Sequence, residues 1–298
     1  MKTIKLTAGF LMASSALILS SCGGGEAEDD GLQHVDTAAT TSNEVIEEEI
    51  IDYAVPTPNE LFEIVKLQGG EQKVGIVNPL ENREKYIDHK SKCLNFGVYS
   101  ADLAYMSCFG IGTEFLKYFS AIEELGEELG ISGAFDEDLM DRIENNEGDS
   151  DSLFAISNDT YFDSYLYLEE NEKGVELALI MAGGYVESLY IVTNLVDTYS
   201  EGDPIIEKIG DQKLVLENLL DFILEYSDDM MVSEIMDDLI SLSDVFENSM
   251  EFEESGTSID NNDDGTLILS GGGSFKMNEQ AFTDIKAKAE ELRNNIIN

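Results

Sequence analysis

The 298-residue chain has no Trp, two His, three Cys and four Pro, and sets only 17 Lys+Arg against 62 Asp+Glu. Each shortage excludes something. At a formal net charge of −45 there is no basic surface to neutralise phosphates, so nucleic acid is not a partner. Two His leave little room for His-centred catalysis or a His-rich metal site. Neither a Gly-x-x-x-x-Gly-Lys phosphate loop nor a strand-borne Gly-x-Gly-x-x-Gly occurs, and no Gly-x-Ser-x-Gly elbow. A Ser-His-Asp triad would have to use His89. Carboxylate-only glycoside hydrolysis fits the composition, but without a single Trp as a sugar platform. What is present is a core: 43% hydrophobic residues, with 14 Phe and 12 Tyr, rule out disorder of the whole chain.

The N-terminus reads as an address. Lys2 and Lys5 precede an apolar stretch, Leu6 to Leu19, that is too short to span a membrane comfortably. It ends in Leu19-Ser20-Ser21-Cys22, which resembles the lipobox of bacterial lipoproteins. That resemblance implies a signal peptide over 1–21, acyl chains such as palmitate on Cys22, and a cell-envelope location, expected at the outer membrane. The cleaved chain would keep 277 residues, 62 acids and 15 bases, a net charge of −47. Such a body is repelled by anionic headgroups, so the membrane is a partner through the lipid alone. From 22 to 56 the chain is acidic, rich in small polar residues and free of Lys and Arg, a flexible tether extended by self-repulsion. His34 falls within it.

Beyond 56 the periodicity is helical. Thr57-Pro58-Asn59-Glu60 has the form of a capping box with Pro at the first helical position. One long pattern covers 84 to 108 and turns almost wholly apolar after Cys93. Further helices are predicted from Thr113 to Leu129, from Asp136 through Ile143, and over 152 to 170 with an aromatic stripe (Phe154, Tyr161, Phe162, Tyr165, Tyr167). Others follow over 174–198, from Asp203-Pro204 to Tyr226, and from Ser227 or Asp228 past Phe246. Segments at about 252–270 read as a β-hairpin, and Asn278 or Glu279 opens a last helix to Ile297. The expected fold is all-α: an antiparallel bundle of about eight helices over 57–298 with a small hairpin near the C-terminus.

Two apolar helices carry the same short pattern. Gly97-x-Tyr99-x-x-x-Leu103 and Gly183-Gly-Tyr185 with Leu189 each accompany an acid and an amide seven residues apart, Asn95 and Asp102, then Glu187 and Asn194. Seven residues is two helical turns, and small residues permit close approach, so two related hairpins about a central pair would produce this echo; chance would too.

Asn95 to Tyr105, Glu128-Leu-Gly-Ile131 and Ala182-Gly-Gly-Tyr185 resemble a group of uncharacterised lipoproteins of Bacteroidota-type bacteria, over roughly 55–298. The resemblance implies the lipoprotein address but no activity and no catalytic residues. In such bacteria an acidic segment like Glu26 to Asp30 is similar to surface-export signals, so the periplasmic and surface faces both stay open.

Three features bear on chemistry. Asp102 lies in a run whose other polar side chains are only Asn95, Ser100 and Ser107. A carboxylate there must be hydrogen bonded or neutralised. Either it is a raised-pKa acid lining an interhelical cavity with Glu187, or it belongs to a satisfied network with Asn95, Asn194 and Tyr hydroxyls; the network is the plainer reading. Asp260, Asn262, Asp264 and Gly265 match the opening of a calcium loop, but Gly271 stands where the bidentate Glu belongs, so a metal site there is a weak candidate and calcium the one cofactor worth naming. Cys93 and Cys108 would lie ~22 Å apart along one helix, too far to bridge, and a thiolate among carboxylates is disfavoured even with His89 four residues away. The functional expectation is a non-enzymatic binding or structural module with a protein or small-molecule partner. The alternative is a carboxylate-based enzyme or metal-binding protein built on Asp102 and Glu187.

Overall fold

A computed structural model describes residues 57–68, 72–73, 75–109, 112–135, 138–253, 258–261, 267–270 and 274–298. The chain divides into two units, Met1–Ile50 and Ile51–Asn298, and the described residues all belong to the second. Residues 1–56, with the expected signal peptide, Cys22 and the expected tether, lie outside them.

Nine α-helices follow one another among the described residues: α1 Pro58–Gln68, α2 His89–Ser107, α3 Gly112–Leu129, α4 Leu139–Asn145, α5 Ser150–Glu170, α6 Gly174–Leu195, α7 Pro204–Leu224, α8 Met230–Ser249 and α9 Glu279–Ile297. The all-α expectation holds. The pattern over 84–108 breaks into two pieces, because Asp88 takes extended backbone and caps α2 by accepting from Ser91 N, leaving Leu80–Lys85 as a separate 3-10 turn. Thr57 does not close the expected capping box with its hydroxyl, which instead donates to Asn158 Oδ1 at 3.2 Å. Asn278 does cap α9, accepting from Ala281 N at 2.8 Å. The aromatic stripe of α5 is only half-buried: the face turned inward is Leu153, Ile156, Ser157, Thr160, Ser164 and Leu168. Ser157, Thr160 and Ser164 can face the core because each hydroxyl donates to a carbonyl three or four residues earlier in its own helix.

The hairpin is longer than the sequence suggested. Strands β1 Met250–Glu253 and β4 Ser274–Met277 pair antiparallel, as do β2 Ser258–Asn261 and β3 Leu267–Ser270. The register slips by one residue between the two ladders, from Glu253↔Ser274 to Ser258↔Ser270.

Helices α2 and α6 form the most extensive contact and sit at the centre. Around them pack α1, α3, α5, α7 and α9, with α8 against α7 and α9. The echo motif explains the closeness. A methyl group at Gly97 would land on the carbonyl oxygen of Ile180, and one at Gly183 on that of Leu94, so the two backbones touch where side chains would keep them apart. Helix α6 is long and apolar enough to cross a membrane, yet it is mostly buried inside the protein, as the central helix of a bundle must be.

Candidate functional site

Past the glycine crossing, α2 and α6 bring their acids together. Asp102, Glu187 and Asn95 have no exposed surface. Asn194, the fourth residue of the expected set, is not part of this cluster: it is half-buried near the end of α6, where its side-chain amide donates to Tyr190 O at 2.9 Å.

A residue outside that set supplies the counter-charge. Arg293 of α9, 8% exposed, grips Glu187 with both arms of its guanidinium, Nε to Oε2 at 3.0 Å and Nη2 to Oε1 at 3.2 Å. The same guanidinium stacks 4.4 Å from the Tyr190 ring centre and reaches Ile76 O at 3.4 Å. Asn78 is the second addition. Its backbone N–H donates to Asp102 Oδ2 at 3.0 Å, its carbonyl accepts from Tyr118 Oη at 2.8 Å, and its side-chain amide reaches Tyr86 Oη at 2.9 Å and Asn95 Oδ1 at 3.4 Å. Asn95 and Tyr86 then cover the C-terminal end of α9, donating to Ile296 O at 3.0 Å and Ile297 O at 3.3 Å. The last carbonyls of a helix have no partners within it, so this network satisfies the end of α9 and the buried Asn78 in one stroke.

The charges decide the protonation. Two buried carboxylates face one guanidinium, and two negative charges in a dry interior are untenable. Burial and the neighbouring charge of Glu187 push the Asp102 carboxyl well above the ordinary range. Burial also pushes Glu187 up, but Arg293 opposes it. Asp102 therefore keeps the proton and shares it with Glu187, and Glu187 stays ionised against Arg293. This accounts for Asp102 Oδ1, a buried oxygen for which no protein donor is at hand. It is the donor's own oxygen. Asn95, Asp102 and Glu187 are buried, and Arg293 and Asn78, rather than Asn194, are hydrogen bonded to them.

The remaining candidates do not converge on chemistry. Cys93 and Cys108 are both free. Burial raises each thiol to about 12, and the Cys108 Sγ–H points at Ala104 O (3.5 Å) and Phe62 O (3.7 Å). His89 faces Glu176 at 3.3 Å rather than serving as a base for Cys93. Among the described residues no group of three or more His, Cys, Asp or Glu is placed to hold a metal ion. Of the calcium-loop candidates, Asn262 and Asp264 lie outside the described residues; Asp260 sits in β2, its backbone opposite Ile268. No family model, curated protein or solved structure matches this chain.

Proposed function

We propose that this is a lipid-anchored envelope protein of the outer membrane, held through Cys22, whose acidic helical domain is a non-enzymatic binding or structural module. The observation that supports the non-enzymatic reading is the sealing of Asp102 and Glu187. Both carboxyls are wholly buried, one is held by Arg293 and the other by Asn78 and a shared proton. A general acid must meet its substrate within hydrogen-bond reach, and nothing from solvent reaches these two. Their chemistry serves the fold. The anchor rests on the sequence Leu19-Ser20-Ser21-Cys22 followed by a base-free acidic tether.

Growth with a labelled palmitate tests the anchor. Label enters the wild-type chain, and Cys22→Ala loses both the label and membrane partition. Equal labelling of the two chains overturns the proposal.

A further inference from the structure

The strands leave backbone edges open. Strand β1 pairs with β4 and β2 with β3, so each has one hydrogen-bonded side and one side that meets no strand among the described residues. A row of unpaired N–H and C=O groups is a template for a further strand, and proteins ordinarily guard it with charge. A ladder of two strands is also marginal in water by itself, and three or more are the usual minimum.

Charge guards three of the four edges. β1 carries Glu251 and Glu253, β2 carries Asp260, and β4 carries Lys276 and packs against α7. β3, Leu267-Ile268-Leu269-Ser270, carries none. The imbalance extends past the strands. From Met250 to Asp264 the sequence has six acids and no base, and from Gly265 to Phe275 it has no charge at all. Strand residues alternate between faces, so a Leu-Ile-Leu run is apolar in both phases, the pattern of a strand inside a sheet rather than of a guarded edge.

The charges also select the occupant. Like charges opposite one another destabilise a ladder, so two copies of a chain at −45 would set acid against acid by joining through β1 or β2. A basic strand from another protein would be drawn to those same two edges. β3 is left for a neutral strand, and the neutral strand that this protein supplies is β3 itself. Antiparallel pairing of β3 with its counterpart about a two-fold axis gives the strand order β2-β3-β3-β2, with each Asp260 one strand away from the junction. Four strands then replace two.

We propose that β3 is a homodimerisation edge, through which two copies of this chain join into one four-stranded antiparallel sheet. The inference goes beyond the anchored-module reading and does not need the lipid. The contact is small, so the dimer is weak, with a dissociation constant on the order of tens of micromolar. The two acidic chains repel each other, and salt screens that repulsion over about 8 Å at physiological strength, so added salt tightens the dimer.

Sedimentation equilibrium of the whole chain tests this, in excess non-ionic detergent so that neither acyl chains nor the N-terminal apolar stretch join two copies. The apparent mass rises toward twice the monomer's with protein concentration, and rises further with salt. Ile268→Lys and Ile268→Glu each weaken self-association at least about tenfold. An equimolar mixture of the two variants recovers it, because opposite charges then meet at the junction. A wild-type chain that stays monomeric overturns the proposal and leaves the edge to a strand of another protein. Ile268→Lys dimerising as the wild type does also overturns it. So do two monomeric variants whose mixture stays monomeric, since the loss then comes from a disturbed hairpin and not from the junction.

Discussion

Replacing Asp102 by Asn should be almost harmless, and replacing Glu187 by Gln should not. In the native protein the protonated Asp102 carboxyl donates a hydrogen bond to Glu187 and accepts from Asn78 N–H at 3.0 Å. An Asn amide reproduces both, its NH₂ donating where the hydroxyl did and its oxygen accepting where Oδ2 did. At neutral pH the change should therefore cost no more than about 1 kcal/mol, the scale of one exchanged hydrogen bond. Glu187→Gln instead leaves the Arg293 guanidinium buried without its bidentate anion. Breaking a buried pair costs about 3–5 kcal/mol. The value should fall toward the lower end, because Asp102, freed from the charge that raised it, can ionise and face Arg293. In a domain of this size that is a fall of roughly 6–20 °C in melting temperature.

The pH dependence separates the two variants further. A carboxyl raised in the folded state holds a proton that the unfolded chain gives up. The stability it contributes is full below the ordinary carboxylate range and is lost as pH rises through Asp102's raised folded value, at up to about 1.4 kcal/mol per pH unit. Asp102→Asn has no such proton. Its stability relative to wild type, from urea unfolding at a series of pH values, should climb over that window and then level. The comparison cancels the self-repulsion of the other acids, which both proteins share. If Asp102→Asn costs as much as Glu187→Gln at neutral pH, or the difference does not change with pH, Asp102 is not the protonated partner.

Other expectations follow from the same contacts. Gly97→Ala and Gly183→Ala each drive a methyl into a facing carbonyl and should each cost at least about 1–3 kcal/mol in urea unfolding, whereas Gly130→Ala has open space and only a positive backbone angle (φ +70°) to contend with. Cys93 and Cys108, with thiols pushed up to about 12, should ignore an aromatic disulfide reagent at pH 8 in the native protein and react once urea unfolds it. Asn278→Ala removes the cap of α9 and should cost about 1 kcal/mol.

Much of this was legible before any coordinates. Apolar stripes at helical spacing placed the helices, and polar residues stranded in apolar runs, Asn95, Asp102 and Glu187, are buried in the structure. Asn194 was misplaced because an amide two turns from a buried acid shares its helix face but not its depth: it lies near the end of α6, where its own turn supplies a carbonyl. Arg293 was missed because an arginine on an amphipathic helix ordinarily belongs to the solvated face. The signal was there. It stands four residues after Ala289 and three before Ile296, inside the buried stripe of α9. Asn78 carried no such signal, since a loop beside Pro79 has no periodicity to read. The α5 aromatics were legible as a stripe but not its depth: they are half-buried, and Ser157, Thr160 and Ser164 can face inward because they satisfy their hydroxyls within the helix.

The central claim is that the most conspicuous acids in this protein lock the fold with one shared proton rather than catalyse. Carbon-13 spectra of the Asp side-chain carboxyls, recorded across a pH titration of the whole chain, address it most directly. The account predicts one carboxyl that keeps its protonated shift at neutral pH and is missing from Asp102→Asn. Spectra in which every aspartate, Asp102 included, has titrated by neutral pH would contradict it.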